Sequence, residues 1–343
     1  MPSRIRSVLL CKRCQTGYHV LLLLAVLVCS SCGKKREHPV SFYHWKTTFS
    51  LTPAEQACFR ELGCKKLYLR FFDVDNESGR PLPQAIIQPF DASLIATEYI
   101  PVVFVTNRTL RGLSKEEIRK LAEQTDGLIT EIEEKNGLPP GKEIQIDCDW
   151  TESTRENYFR FLTLLRENSG RDITCTLRLH QIKFYQKTGI PPVSKGYLMC
   201  YATSDPSENT TPNSILDIGL LKDYTSGIRQ YPLDLDVALP LYSWAVVTNH
   251  LGKIRLINGV TEQDMDTPDF IHLSANRYEA ATDLFFRGLY INRGFTIRVE
   301  SISPELLRQA RSCLDARIKK EYGIVYYHLD EPFLNTFPIE ALR

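Results

Sequence analysis

Strand-like and helix-like segments alternate along most of this chain, and that alternation constrains the fold more than any other feature. Strands that alternate with helices pair in parallel, and eight such units close into a ring. We therefore predict an α/β fold, a (β/α)8 barrel of the TIM type, as one domain over residues 41–343. The eight strand-like runs are 42–49, 66–74, 100–106, 143–150, 172–182, 196–203, 235–247 and 324–330.

Amphipathic helix patterns lie between several of the runs. No helix pattern follows the second run, where 76–98 is predicted to be a loop. Segment 248–303 is too long for one crossover and predicts an insertion between strands 7 and 8 that holds a short hairpin and a helix. An open doubly wound sheet is the alternative, although the chain has no glycine-rich phosphate loop to favour it. The helix patterns are 52–62, 114–136, 151–167, 214–231 and 304–321.

The first 40 residues are typical of an export signal followed by a lipid attachment site. A basic head precedes the apolar run 20–28, which has nine residues and is shorter than the roughly 20 needed to span a bilayer. Ser30-Ser-Cys-Gly33 resembles a lipobox, in which the cysteine is acylated. We predict a signal peptide at 1–31, a tether at 32–40 lipidated at Cys32, and a periplasm-facing outer-membrane location in the cell envelope. A plain signal peptide or an uncleaved anchor is the alternative.

Composition argues against several classes of protein. The net charge is +1, with 43% hydrophobic and 24% charged residues, which is ordinary globular usage and indicates no nucleic-acid partner. The six cysteines after Cys32 show neither CxxC nor zinc-type spacing, so we predict no metal and no cofactor. Most lie among apolar residues and are predicted to be buried thiols, with Cys58 and Cys64 the local candidates if a disulfide forms.

The fourth strand-like run carries carboxylates on one face. Because side chains alternate along a strand, Gln145, Asp147 and Asp149 share a face opposite to that of Trp150. In a barrel, the apolar face meets the helices and the polar face points inward. Ionised carboxylates inside a barrel need partners. Asp149, nearer the carboxyl end of the strand, should lie closer to the mouth, where barrel enzymes place their sites.

Two other runs offer partners for these carboxylates. Alternation along the fifth run places Arg178 and His180 on its polar face, and the second run supplies Arg70 and then Asp73. We expect Arg70 and Arg178 to pair with Asp147 or Asp149. The eighth run is predicted to place Tyr326, His328 and Asp330 on one face. A paired network of this kind can also serve only to fix a core.

Aromatic residues near predicted strand ends are a second indication of function. Trp45, Tyr201 and Trp244 all lie close to such ends. Aromatic faces pack on apolar surfaces such as those of sugar rings, while their polar tips donate hydrogen bonds. A mouth lined by aromatics and carboxylates is typical of a carbohydrate cleft, although each aromatic residue taken singly can simply pack beneath a loop.

The segment Ile146-Asp-Cys-Asp-Trp150 resembles the Ile-Asp-Leu-Asp-Trp core of the fourth-strand signature of chitinase-like (family 18) glycoside hydrolases. In that family a catalytic glutamate follows the tryptophan directly. Here Thr151 has that place, and Glu152 comes one residue later. The resemblance implies a glycoside-hydrolase-like barrel, and the departure at Thr151 argues against the family's substrate-assisted mechanism.

A broader resemblance covers nearly the whole chain after Cys32. The chain is similar to a family of uncharacterised lipoproteins from Bacteroides-like bacteria that is distantly glycoside-hydrolase-like. This implies a lipid-anchored barrel without an assigned reaction. The segments that carry the resemblance are 42–49, 69–75, 145–152, 177–183 and 238–244.

Together these patterns predict a carbohydrate-active lipoprotein that binds or hydrolyses a glycan, or another small molecule, at the C-terminal face and meets the membrane only through its lipid. Glycosidases normally need two carboxyl groups. Asp149 and Glu152 are the preferred catalytic pair, with Asp147 beside them. Glu152 is expected to be protonated beneath Trp150 or Trp244.

The residues predicted to bind the glycan are Trp45, Arg70, Asp73, Arg178, His180, Tyr201 and Trp244. Two alternatives remain. One is a non-catalytic glycan-binding or envelope scaffold protein on the same barrel, which the fold alone cannot separate from an enzyme. The other is a metal-dependent hydrolase using His44, His180 and Asp330, whose spacing is not that of a metal site.

Overall fold

The strand-like runs form a closed ring of parallel strands, as predicted. The computed structural model describes residues 36–77, 79–95, 97–208 and 213–343. The predicted signal segment and Cys32 lie outside the described residues.

The strands, in chain order, are β1 (Val40–His44), β2 (Lys66–Asp75), β3 (Leu82–Gln84), β4 (Glu98–Val105), β5 (Glu143–Asp147), β6 (Asp172–Arg178), β7 (Lys195–Met199), β8 (Asp234–Pro240), β9 (Trp244–Thr248), β10 (Ile254–Asn258), β11 (Phe270–Ser274), β12 (Arg277–Ala280), β13 (Leu284–Phe286), β14 (Leu289–Ile291), β15 (Thr296–Glu300) and β16 (Ile324–Tyr327).

Eight of these strands make the barrel, in the order β1-β16-β8-β7-β6-β5-β4-β2, and β1 pairs with β2 to close it. All eight pairings are parallel, so every carboxyl end meets at one mouth. The short β3 adds to β2 in the antiparallel sense. The predicted (β/α)8 barrel is confirmed.

The helices begin where the sequence places caps. Thr52 and Ser114 each accept a hydrogen bond from the backbone of a glutamate three residues later, whose side chain bonds back. Within the described residues, β2 is followed by β3 and a 3-10 turn rather than by a helix. The α-helices are α1 (Pro53–Glu61), α2 (Lys115–Lys135), α3 (Arg155–Ser169), α4 (Leu179–Lys183), α5 (Tyr185–Thr188), α6 (Ile218–Tyr224), α7 (Pro304–Arg317), α8 (Glu331–Leu334) and α9 (Ile339–Leu342).

Most of the predicted runs extend past the true strand ends, and for two of them the local cause is clear. The fifth run stops at Arg178, because the Gln181 side chain accepts a hydrogen bond from the Arg178 backbone N–H and begins α4. The seventh run divides at Pro240, and its second half becomes β9 in a different sheet. A proline has no N–H to continue a ladder.

The insertion has nearly the predicted span but is of a different kind. It begins at β9 and forms a five-stranded antiparallel sheet, in the order β10-β9-β15-β12-β11, with the hairpin β13–β14 beside it. The predicted helix was wrong: the described residues between β9 and β15 hold one 3-10 turn, Glu262–Met265, and otherwise strands and turns. The sheet has its own small core around Val247, Met265 and Ile297.

The lower barrel interior is filled by tyrosines and paired charges instead of the usual aliphatic layers. Lys66 bonds Glu143 at 2.9 Å. The Tyr68 hydroxyl donates to that of Tyr197 at 2.8 Å. Such an interior is stable only because its polar atoms are bonded to one another, and it forms a rigid floor beneath the mouth. No described helix is both long and apolar enough to cross a membrane.

Candidate functional site

Strand β5 and the three residues after it place Asp147 inside the barrel and Trp150 on the helix side, as the alternation predicts. Trp150 is fully buried, stacks on Tyr158 of α3 at 4.9 Å and donates to the carbonyl oxygen of Thr188. Asp147 is 5% exposed and accepts a hydrogen bond from the Thr176 hydroxyl at 2.5 Å. Burial, and then the nearby Asp149 carboxylate, raise the pKa of Asp147 to about 6.

Asp149 lies at the mouth, paired with Arg178. The Arg178 Nε lies 2.9 Å from the Asp149 carboxylate, and the two side chains are 29% and 47% exposed. The expected pairing of Arg178 with a β5 carboxylate is therefore present. An exposed pair of this kind contributes little to stability, typically under about 1 kcal/mol, but it fixes where both groups point.

Arg70 has a different partner from the one predicted. It bonds both carboxylate oxygens of Asp73 and lies over the Trp45 ring, 5.6 Å from its centroid. The cause is a bulge in β2 between Arg70 and Phe72. An extra residue reverses the alternation beyond it, so Arg70 and Asp73 share the inward face although they are three residues apart. The predicted contact of Arg70 with Asp147 or Asp149 was wrong.

A continuous band of aromatic rings follows the rim from β1 to β9. Tyr327 lies at its centre, 5.5 Å from Trp45, 5.5 Å from Tyr201 and 5.8 Å from Tyr242 between ring centroids. Trp244 extends the band 5.3 Å beyond Tyr242. The band comes from β1, β16, β7, the end of β8 and β9, whereas the ion-paired carboxylates come from β2 and β5.

Several buried polar atoms in this region have no hydrogen-bond partner among the described residues. Two of them are the Tyr201 hydroxyl and the Gln145 Nε2, on residues 6% and 0% exposed. Gln145 accepts from Tyr43 through its oxygen, which leaves the amide nitrogen as a donor. A buried unpaired polar group carries a desolvation cost of about 1–3 kcal/mol. Each could be satisfied by an oxygen of a bound ligand.

Glu152 does not have the predicted apolar wall. It is exposed in the turn before α3. Trp150 packs on the helix side of the barrel, and the Trp244 indole is bonded to Glu300. Thr151 lies in the same turn, with its hydroxyl 3.0 Å from that of Ser153. The catalytic assignment of Asp149, Glu152 and Asp147 stays a prediction, but the proposed cover over Glu152 was wrong.

The histidines do not lie where strand alternation predicts them. His180 is exposed on α4, not on the inner face of a strand, because β6 ends at Arg178. His44 is 1% exposed, and its ring packs on Phe49. Asp330 is paired with Lys46. Within the described ranges, no cluster of three or more His, Cys, Asp or Glu side chains could hold a metal ion.

The sequence analysis missed Tyr327. The predicted face of the eighth run included Tyr326, which is fully buried and donates to the carbonyl oxygen of Leu342. Its neighbour Tyr327 is the one in the aromatic band. The four residues of β16 itself, Ile324–Tyr327, are apolar or aromatic on both faces, so periodicity could not separate inward from outward.

Comparison with known proteins identifies the fold. No protein-family model matches the chain, and no curated protein matches it in sequence. Solved structures do match. The spore cortex-lytic enzyme SleL of Bacillus cereus has a TM-score of 0.55 at 16% identity, over 90% of this chain and 75% of that one. The C-terminal domain of a putative chitinase from Desulfitobacterium hafniense has a TM-score of 0.57 at 12% identity, over 90% of this chain and 100% of that one.

A mutant class V chitinase from Nicotiana tobaccum, in complex with NAG4, has a TM-score of 0.51 at 11% identity, over 88% of this chain and 97% of that one. At these identities the likeness establishes the fold alone, a (β/α)8 barrel.

Proposed function

We propose that the barrel mouth binds a glycan chain, and that it does so without cleaving it. The observation that carries this proposal is the aromatic band of Trp45, Tyr327, Tyr201, Tyr242 and Trp244 on the same rim as the ion-paired carboxylates. Rings stack on the apolar faces of sugars, and charged pairs at their edge bond the hydroxyls. Barrels of the same fold include chitinases and SleL.

Binding is favoured over hydrolysis because the carboxylates do not form an acid and nucleophile pair. Asp149 is ion-paired with Arg178, and Asp73 with Arg70. Glu152 is exposed, and a threonine hydroxyl, Thr151, stands where the chitinase-like signature has its glutamate. A two-carboxylate glycosidase needs one group held protonated and another held ready to attack or to activate water.

Hydrolysis is the second candidate function, and one observation favours it. Asp147 has a pKa raised to about 6, the change expected of a general acid, and the Asp149 carboxylate beside it is paired with Arg178. Against this role, Asp147 lies 5% exposed beneath the mouth.

The binding proposal predicts the effect of removing the central ring of the band. Tyr327→Ala should weaken binding of an N-acetylglucosamine tetramer by at least about tenfold, equal to about 1.4 kcal/mol, because three neighbouring rings lose their shared contact. Isothermal titration calorimetry measures this. The control is Tyr290→Ala, since Tyr290 is 47% exposed on the hairpin β13–β14. Equal affinity in a folded Tyr327→Ala variant, or equal loss in both variants, would contradict the proposal.

We also propose that the protein is anchored in the cell envelope through a lipid on Cys32. The support is the apolar run 20–28 and the Ser-Ser-Cys-Gly junction after it. Cys32→Ala should abolish incorporation of a fatty-acid analogue, as measured by gel fluorescence, while Cys29→Ala should leave it intact. Unchanged labelling of Cys32→Ala, or labelling lost only in Cys29→Ala, would refute the assignment.

A further inference from the structure

One carboxylate of the insertion reaches the rim of the barrel. Glu300 is the last residue of β15 and lies opposite Trp244, the first residue of β9, in the register of the sheet. Its side chain is 1% exposed, whereas Trp244 is only partly buried. A buried carboxylate is retained only where donors satisfy it. The donors around Glu300 therefore indicate what this residue does.

In the part of the chain that the structure describes, the donors bonded to Glu300 come from three places: β9, the segment between β7 and α6, and β15 itself. The Trp244 indole N–H donates to Oε2 at 2.8 Å. The backbone N–H and hydroxyl of Ser214, in the segment between β7 and α6, donate to the same oxygen at 2.9 and 2.5 Å. Arg298 Nε donates to Oε1 at 2.6 Å. Glu300 thus joins the insertion, the β7–α6 segment and the aromatic band.

These bonds fix the orientation of the outermost ring. The indole edge is held by Glu300, and the ring packs 5.3 Å from Tyr242. The band then continues through Tyr327 to Trp45 at spacings of 5.8 and 5.5 Å. Four consecutive rings at similar spacings present a surface longer than one ring can offer, and more than one sugar could stack on it.

We infer that Glu300 is a positioning residue that holds Trp244 as the outer platform of the glycan site, and that the site is built for an extended oligosaccharide. The inference rests on the proposed glycan-binding function. It assigns the insertion a part in ligand recognition: the barrel supplies the inner rings and the charged pairs, and the insertion sets the outermost ring. Longer glycans should therefore depend on Glu300, and short ones should not.

The experiment compares the N-acetylglucosamine dimer and hexamer by calorimetry on the intact protein. In Glu300→Gln an amide nitrogen must face either Arg298 or the Trp244 and Ser214 donors, so one side of the network breaks whichever way the amide turns. We expect about tenfold weaker hexamer binding and unchanged dimer binding. Glu279→Gln, on β12 of the same sheet, is the matched control and should behave as wild type.

A second variant covers the case in which Glu300→Gln does not fold because the buried ion pair of Glu300 with Arg298 is lost. Trp244→Phe keeps a ring, removes the N–H and leaves the pair of Glu300 with Arg298 intact. It should likewise weaken binding of the hexamer but not the dimer. In folded Glu300→Gln the indole N–H resonance of Trp244, assigned by its absence from Trp244→Phe, should shift from its wild-type position.

The outcomes separate this inference from the function on which it rests. Hexamer-specific loss in either variant supports it, and a shifted indole resonance that accompanies this loss in Glu300→Gln shows that the loss acts through Trp244. Hexamer affinity at the wild-type value in both variants overturns the inference alone. An equal loss for dimer and hexamer also overturns it, since Trp244 would then belong to the inner site. No binding of either oligosaccharide by the wild type overturns the proposed function and this inference together.

Discussion

Asp147→Asn is expected to stabilise the protein at pH 8 by about 3 kcal/mol. Asp147 is buried, and its one side-chain hydrogen bond in the described structure comes from the neutral Thr176 hydroxyl. Its pKa is raised to about 6 by burial and then by Asp149. Because the pKa of this carboxyl is higher in the folded than in the unfolded state, stability falls as pH rises, here between about 4 and 6. At about 1.36 kcal/mol for each pKa unit, the unfolding free energy falls by about 3 kcal/mol.

Urea denaturation of wild type and variant at pH 4 and pH 8 measures this effect. The difference in unfolding free energy should be small at pH 4, where both side chains are neutral, and should reach its full value above pH 7. Asp149→Asn is the control, because its partly exposed pair with Arg178 should change stability by less than about 1 kcal/mol. A variant less stable than wild type at pH 8 would mean that Asp147 has a charged partner and would contradict the account.

His44→Phe is expected to remove a loss of folding stability at acid pH. This loss is similar in size to the effect of Asp147, but it occurs as pH falls rather than as pH rises. The His44 ring is 1% exposed, and neither of its nitrogens has a hydrogen-bond partner among the described residues. Burial, followed by Lys46 and His328, lowers its pKa to about 4. Because the unfolded state binds the proton more readily, stability is lost as pH falls from about 6.5 to 4, by about 3 kcal/mol.

The test is the unfolding free energy of His44→Phe between pH 4.5 and 7.5. Phe fits beside Phe49, which already packs edge-on at 4.9 Å, and it cannot be protonated. The variant should lose much less stability on acidification than the wild type. His250→Phe, at an exposed position, should keep the wild-type profile. If His44→Phe and wild type lose stability equally, the His44 imidazole is not the neutral buried group described above.

The barrel could be predicted from sequence because each of its strands keeps a local signature. The β5 segment shows why: its two faces differ in polarity, so Asp147 and Trp150 could be assigned to opposite sides without knowing any partner. The caps at Thr52 and Ser114 are equally local. Features that depend only on residues close together in the chain can be predicted from the sequence and are present in the fold.

The site was less predictable because small backbone events decide which side chains meet. The bulge after Arg70 puts Asp73 beside Arg70, and the start of α4 at Leu179 removed His180 from the barrel interior. Tyr327 lies in a strand, β16, whose residues are apolar or aromatic on both faces. Glu300 could not be placed at all, since its contact with Ser214 spans 86 residues of chain.

Glycan binding at the mouth without cleavage can be tested by titrating the wild-type protein with the N-acetylglucosamine tetramer in a calorimeter and then analysing the recovered sugar by mass spectrometry. We expect saturable binding and a tetramer recovered whole. Absence of binding would contradict it outright, and shorter sugars in the recovered sample would show that the carboxylates of the mouth are catalytic.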